Sequence, residues 1–320
     1  MKKMKLLSAA LALLIVVSGC APAVKEARLT VVCTTYPIYL FASSITEGVE
    51  GVAVERLDTG STSCLHDYSL SMEDMKKLER ADVIAINGAG LEEFLEDALE
   101  TSNAAVIDCS QGIELLESLS HHHEEGEEDE HGHDHGHWDP HYWMDPQRAA
   151  QMVGNLEVGL SALDPDRQET YFKNSTGVQT LMLARDDAAR DLLDQYGTRH
   201  GTNPLNLITF HDGFQYFADA YGLTLLASIE EEAGSEASAH EIVEITELIR
   251  QYDIPVIFTE VNGSDATANA ISRETGCQVA RLTMLMDGPD NEIANYLGGI
   301  TDNAAAIING FAGKEVVRNG

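Results

Sequence analysis

A dense run of histidines between positions 121 and 141 is the feature of this sequence most suited to chemistry. Eight of the chain's 12 histidines lie there, interleaved with Glu, Asp and Gly. Neutral imidazole binds zinc, copper, nickel and iron, and a segment this polar cannot bury enough apolar surface to fold alone. We predict that residues 120–138 form a disordered, metal-collecting loop; a solvated acidic loop is the simpler alternative. Its weak ligands would be His121, His122, His123, His131, His133, His135 and His137.

Three histidines, one of them at the end of that run, stand where a fold could hold them in fixed positions. His66 comes after the apolar run 52–57, and His211 directly follows the run 205–210. Ligands of open parallel sheets bind outside the carboxyl ends of the strands. His141 lies in the sequence Asp-Pro-His-Tyr-Trp-Met-Asp-Pro, whose prolines and aromatics indicate an ordered turn. We therefore predict one metal site built from all three. The other two histidines carry the ordinary surface interpretation: His200 and His240.

Short apolar runs alternate with helical patterns along the chain. Such an alternation is typical of parallel sheets covered by helices on both faces. The predicted strands are Leu29–Thr34, Val52–Leu57, Asp82–Ile86, Ala104–Ile107, Leu205–Phe210, Thr224–Ala227, Pro255–Thr259 and Gln278–Leu282. Predicted helices between them include Ser71–Arg80, Leu91–Glu100 and His240–Gln251.

The two sets of strands are separated by a long segment without strand character. Asp164-Pro165 marks a helix start and Gly197 a helix end, so a single helix over 166–196 is predicted. The expected fold is α/β: two lobes with parallel sheets joined by one long helix. The lobes would cover residues 29–165 and 197–320, each with its own core.

The first residues resemble an export signal. Lysines at positions 2, 3 and 5 precede an apolar run over 6–17, which is too short to span a bilayer. Val17-Ser18-Gly19-Cys20 then resembles a bacterial lipobox. The expectation is a signal peptide over 1–19, a lipid on Cys20 and a tether over 20–28, with the mature chain outside the cytoplasm on the membrane.

Charge and cysteine content limit the possible function further. The net charge of −33 argues against nucleic acid as a partner. Cys33, Cys64, Cys109 and Cys277 include no CxxC pair, which argues against a zinc ribbon or a thioredoxin-type site. In an exported protein they could form disulfides, or each could be a small buried hydrophobic residue.

Several motifs together resemble the metal-binding lipoproteins of bacterial zinc and manganese ABC importers. They are His66-Asp67-Tyr68, Ala81-Asp82-Val83, Asn87-Gly88-Ala89-Gly90-Leu91-Glu92, Asp139 to Pro146, and Phe210 to Phe217. The resemblance covers the chain from about Leu29 onward. It implies the two-lobed, metal-type periplasmic-binding-protein-like fold with a rigid linking helix. It also implies a metal held in the cleft by His66, His141 and His211, and an ABC permease as partner.

The resemblance has two departures. Cys64-Leu65 precedes His66 where many members have Pro. No acid stands in the stretch 282–286, where many members place a fourth carboxylate. Glu260 is a substitute candidate, either as a ligand or as a group that hydrogen-bonds to one. Three imidazoles with a water or carboxylate suit tetrahedral Zn²⁺, whereas Mn²⁺ prefers oxygen-rich sites.

The sequence thus predicts a monomeric, non-enzymatic zinc-binding lipoprotein that delivers Zn²⁺ to a permease. Three alternatives stay open: a manganese-importer binding protein, a surface adhesin with a structural metal, and a metalloenzyme. Three histidines with an open position also build catalytic zinc sites, but a hydrolase needs a general base beside the metal. The chain contains no HExxH pattern, and Glu260 is the only obvious base.

Deleting residues 121–137 should separate the collecting loop from the cleft site. The deletion removes seven histidines and leaves His141 in place. Sites in the loop should be weak, because each bound ion must order flexible chain. Calorimetry should therefore show less total zinc bound, with one tight site per chain at nearly its original affinity. Loss of the tight site in a protein that still folds, as judged by circular dichroism, would mean that the loop supplies primary ligands.

Overall fold

The computed structural model describes residues 28–57, 65, 68–119, 137–202, 204–230, 238–261, 265–288 and 291–318. The expected signal peptide, Cys20, Cys64, His66 and nearly all of the histidine-rich loop lie outside these ranges. All eight predicted strands are found among the described residues, and the predicted fold class is confirmed: α/β, with two parallel sheets and one long connecting helix.

The first lobe is a four-stranded parallel sheet in the order β2-β1-β3-β4. Its elements are β1 (Leu29–Cys33), α1 (Tyr36–Ile45), β2 (Val52–Arg56), α2 (Met72–Arg80), β3 (Val83–Ile86), α3 (Glu96–Thr101) and β4 (Ala105–Asp108). Local signals fix the helix starts. Thr35 accepts a hydrogen bond from the amide of Ile38, and Ser71 with Asp74 forms a reciprocal capping box. The predicted helix 91–100 instead opens with a 3₁₀ turn, Glu93–Leu95, before α3.

Two helices connect the lobes: α4 (Pro146–Leu163) and α5 (Gln168–His200). The sequence prediction had only the second, over 166–196. At 33 residues α5 is about 50 Å long. The predicted end at Gly197 was wrong: Gly197 is buried inside the helix, and Gly201 ends it in the left-handed conformation, φ +65°. Gly201 can adopt that conformation because it has no Cβ.

The second lobe repeats the topology of the first, with strand order β6-β5-β7-β8. Its elements are β5 (Asn206–His211), α6 (Gln215–Tyr221), β6 (Thr224–Glu230), α7 (Ala239–Gln251), β7 (Val256–Glu260), α8 (Ala266–Thr275), β8 (Gln278–Leu282) and α9 (Ile293–Ala312). In both sheets the chain reverses its winding direction between two central neighbours, β1 and β3 or β5 and β7. In this topology the ligand site lies at that reversal. None of the described helices is both long and apolar enough to cross a membrane.

The two lobes share one hydrophobic core rather than having entirely separate ones. A single cluster of buried side chains includes Phe41 of the first lobe, Trp143 of the connecting segment and Tyr296 of the second lobe. Trp143 is fully buried; its indole N–H donates to the carbonyl of Met284, and its own carbonyl accepts from the Tyr296 hydroxyl. A wide opening of the cleft would expose this apolar surface to water, at about 25 cal/mol for each Å². Smaller clusters lie on the outer layer of each sheet.

The described cysteines behave as small hydrophobic residues. Cys33, Cys109 and Cys277 are free thiols, and all three are buried. Burial raises the pKa of each thiol. They therefore contribute packing rather than reactive thiolate.

Substitutions at two helical glycines should change the stability of the protein in opposite directions. Gly177 on α5 is exposed, and a Cβ there would meet nothing within 4 Å. A Cβ on Gly310 of α9 would lie 2.9 Å from a methyl of Val256, a stiff side chain in β7. Gly177→Ala should raise the free energy of unfolding by about 0.4–1 kcal/mol, and Gly310→Ala should lower it by about 1–3 kcal/mol. Urea denaturation of both variants checks this; equal effects would contradict the packing of α9 on β7.

Candidate metal centre

Two of the predicted site residues stand at the winding reversal of the second sheet. His211 is the last residue of β5 and Glu260 is the last residue of β7, whereas the sequence had placed both just beyond their strands. Thr209 pairs with Phe258, so each site residue stands two positions further along neighbouring parallel strands. Both side chains are nearly inaccessible, at 2% and 5% exposure. The strand ends therefore hold an imidazole and a carboxylate side by side at the edge that faces the first lobe.

His141 meets them from the connecting segment. Its ring centroid lies 5.1 Å from that of His211, with the ring planes at 85°. His141 is 3% exposed and precedes a 3₁₀ turn, Tyr142–Met144. Its backbone amide donates to the Asp139 carboxylate at 2.8 Å, which closes a tight turn around Pro140. The structure thus brings together two of the three predicted histidines, one from the segment between the sheets and one from the end of β5.

Asp139 determines which nitrogen of His141 is available to a metal. One carboxylate oxygen of Asp139 lies 2.8 Å from Nδ1 of His141. A carboxylate only accepts hydrogen bonds, so Nδ1 carries the proton, and in the neutral ring Nε2 keeps its lone pair. Metal-ligating histidines commonly have such a partner, which orients the ring and raises its basicity. The sequence reasoning missed this role, although Asp two residues before His, across a proline, was a readable signal.

The surrounding carboxylates make the site attractive to cations. Burial alone would lower the pKa of His141. Asp139, through its charge and its hydrogen bond, and then Asp212 and Glu260 through their charges, outweigh burial and raise that pKa above its ordinary value of 6.5. An electrostatic environment that stabilises a proton on His141 also stabilises a metal cation beside it.

A tyrosine of the second lobe fixes the segment that carries His141. The Tyr216 hydroxyl donates to the carbonyl of Asp139 and accepts from the amide of Leu116, both at 2.8 Å. Tyr216 is on α6, only five residues after His211. One side chain therefore couples both histidine-bearing segments. The antiparallel bridge between Glu117 and Trp138 lies beside it and joins the two ends of the histidine-rich loop.

The first lobe supports the same turn through Asn87. The side-chain amide of Asn87 donates to the carbonyl of Pro140 at 3.0 Å. The Tyr142 hydroxyl donates to the backbone carbonyl of Asn87. The buried Glu92 carboxylate holds Asn87 in turn. It accepts from the backbone amide of Asn87 at 2.6 Å and from the Thr34 hydroxyl at 2.6 Å. The Asn-Gly-Ala-Gly-Leu-Glu motif thus anchors the His141 turn.

The other predicted ligands are not part of this group in the described structure. His66, the third histidine, lies outside the described residues, as do all the loop histidines except His137. Among the residues described, no group of three or more His, Cys, Asp or Glu side chains is arranged to hold a metal ion. His137 is exposed, 3.6 Å from Glu117. The two histidines given a surface interpretation lie elsewhere: His200 stacks on Tyr196 at the end of α5, and His240 is exposed beside Glu244 on α7.

The fold and this site define a two-lobed solute-binding protein. The chain belongs to the family of the zinc-uptake complex component A, periplasmic, whose family model matches residues 31–310. By its description, this family supplies a component of zinc-uptake complexes.

Proteins similar in sequence to this chain are named for different metals. Zinc-binding lipoprotein AdcA of Streptococcus pneumoniae serotype 4 is 30% identical over 319 residues, which is 96% of this chain; the match spans 60% of AdcA. Iron-binding protein YfeA of Yersinia pestis is 27% identical, with 88% of this chain and 86% of YfeA covered. The Zn(II)-bound ZnuA-like domain of S. pneumoniae AdcA superposes with a TM-score of 0.69 at 27% identity, covering 88% of this chain and 98% of that domain.

Glu92 should give the metal-free protein a measurable pH dependence. Burial raises the pKa of Glu92 to about 7, although the hydrogen bonds that it accepts act in the opposite direction. Because the folded state binds this proton more tightly than the unfolded state, protonation stabilises the fold. This stabilisation is complete when the pH is below the ordinary pKa of 4.5, and it is lost as the pH rises through 7. At about 1.4 kcal/mol per pKa unit, the free energy of unfolding should fall by up to about 3 kcal/mol from pH 4.5 to 8.

Replacement of Glu92 by Gln removes this titration, so the variant should lose that part of the pH dependence. Glu93→Gln, at the exposed neighbouring position, should keep it. Urea denaturation in the presence of a chelator at pH 5 and pH 8 measures the difference. Identical pH slopes for Glu92→Gln and the unmutated protein would show that Glu92 is ionised throughout.

Proposed function

We propose that this chain captures Zn²⁺ in the cleft between its lobes and delivers it to an ABC-type membrane permease. The observation that carries the proposal is the meeting of His141 and His211, two buried imidazoles 5.1 Å apart, with His141 oriented by a carboxylate. His66 is the proposed third ligand. Its chain neighbours are fixed in the first lobe: Leu65 is fully buried, and Tyr68 donates its hydroxyl to Asp74.

The donor chemistry favours zinc over manganese. Three neutral imidazoles plus one oxygen make the tetrahedral site that Zn²⁺ accepts, and Mn²⁺ requires more oxygen ligands. Glu260 is the proposed source of that oxygen, because it is buried and its charge acts on His141. A water in the same position is the alternative, with Glu260 as its hydrogen-bond acceptor.

Delivery requires the ion to leave a protein whose lobes share a core. We propose that release depends on local movement of the loops that carry the ligands, because separation of the lobes would expose the apolar surface around Trp143. A lipid on Cys20 would keep the protein, as a monomer, at the outer face of the membrane beside the permease. The histidine-rich loop would raise the local zinc concentration next to the cleft.

Alanine substitutions test the ligand set. His66→Ala, His141→Ala and His211→Ala should each weaken tight zinc binding at least tenfold, about 1.4 kcal/mol, because each removes a nitrogen from the ion. His200→Ala and His240→Ala are the matched controls and should bind as the unmutated protein does. Competition titration against a zinc chelator gives the dissociation constants. If two of the three cleft variants bind zinc normally, the proposed site is wrong.

A further inference from the structure

The thioether of Met284 lies against the imidazole of His211. A Cβ built on Gly213 would fall 2.2 Å from Cε of Met284, 2.9 Å from its Sδ and 2.9 Å from Cδ2 of His211. The Met284 side chain therefore occupies a small space beside the edge of His211 that carries Cδ2, and this space is available because Gly213 has no side chain. Cδ2 is bonded to Nε2 in the ring, so this space adjoins a potential ligand atom.

Several contacts hold the backbone around Met284. The Met284 carbonyl accepts from the indole of Trp143 at 2.9 Å. Asn303 bonds to both backbone groups of Thr283, at 2.9 and 2.8 Å. Leu285 adopts φ +60°, which is costly for a residue with a side chain and persists only where the surroundings enforce it. Met284 is thus placed beside His211 by several independent contacts.

The same bonds connect Met284 to His141. The ring of Trp143 lies 5.3 Å from the ring of His141 while its N–H holds the Met284 carbonyl. Met284 is 3% exposed, and residues 282–286 contain no acid. The wall of the candidate centre on this side is therefore apolar and carries a soft sulfur in place of an oxygen donor.

We propose that Met284 sets the metal preference of the cleft. This inference rests on the proposed zinc-binding function. Thioether sulfur is a soft, weak donor, and Mn²⁺ needs oxygen ligands in higher number than Zn²⁺. By filling the space beside His211, Met284 keeps a further carboxylate or water away from the ion. That exclusion weakens the binding of Mn²⁺ more than the binding of Zn²⁺, because Zn²⁺ is bound well by four ligands.

Metal preference can be measured independently of overall stability, as the ratio of the Mn²⁺ to the Zn²⁺ dissociation constant. Competition titrations with the two metals give this ratio for the full chain and for Met284→Asp, which offers an oxygen ligand. The ratio should fall at least tenfold in the variant, about 1.4 kcal/mol. Met284→Ala, which opens the same space to water, should lower it in the same direction and keeps the test decisive if the aspartate variant does not fold.

Met286→Asp is the matched control, because it adds the same charge to another buried methionine two residues along the chain. It should change the ratio less than Met284→Asp. An unchanged ratio in both Met284 variants, or an equal change in Met286→Asp, would overturn the inference. If zinc binding still depends on His211 in that case, the proposed function stands and only the role of Met284 is wrong. Normal zinc binding after His141→Ala and His211→Ala would contradict both the proposed function and the role of Met284.

Discussion

The burial of Trp143 between the lobes is the constraint on which the rest of the structure depends. Its indole N–H has to find an acceptor away from water, and it finds the carbonyl of Met284 in the second lobe. Its carbonyl accepts from Tyr296, which packs edge-on against Phe41 of the first lobe. These contacts fix the second lobe against the segment that carries His141. The distance between the two described imidazoles follows from that fixed arrangement.

A rigid arrangement has consequences for the proposed capture and release of an ion. Preformed ligands bind without a large ordering cost, which favours tight and selective capture. The same rigidity makes a hinge motion costly, because the lobes share apolar surface. In the proposed function, release would therefore depend on the segments joined to the core by few bonds. The Tyr216 hydroxyl, which connects Asp139 and Leu116 across the lobes, is the kind of contact that such a local change would have to break.

The local parts of the fold were readable from the sequence, and the errors lie where local signals compete. The strands are short apolar runs whose type is decided by their own residues, and all eight were predicted. Gly197 was mistaken for a helix end, because a glycine stops a helix only where the chain can turn. Here the helix continues to His200 and ends at Gly201. The separate helix α4 was missed, although Asp145 and Pro146 form an ordinary start signal for it.

The sequence by itself determined the fold class and the family, and it singled out His141 and His211, which the structure buries, because apolar periodicity and short motifs are local properties. The Asp139–His141 contact also belongs to this class, since a two-residue spacing across a proline nearly enforces it. Only the tertiary structure decided which side chains border those histidines. His211 ends β5, Met284 lies in the segment after β8, and His141 comes from the segment between the sheets. No local pattern could place them together, because their proximity results from strand order and from a core that both lobes share.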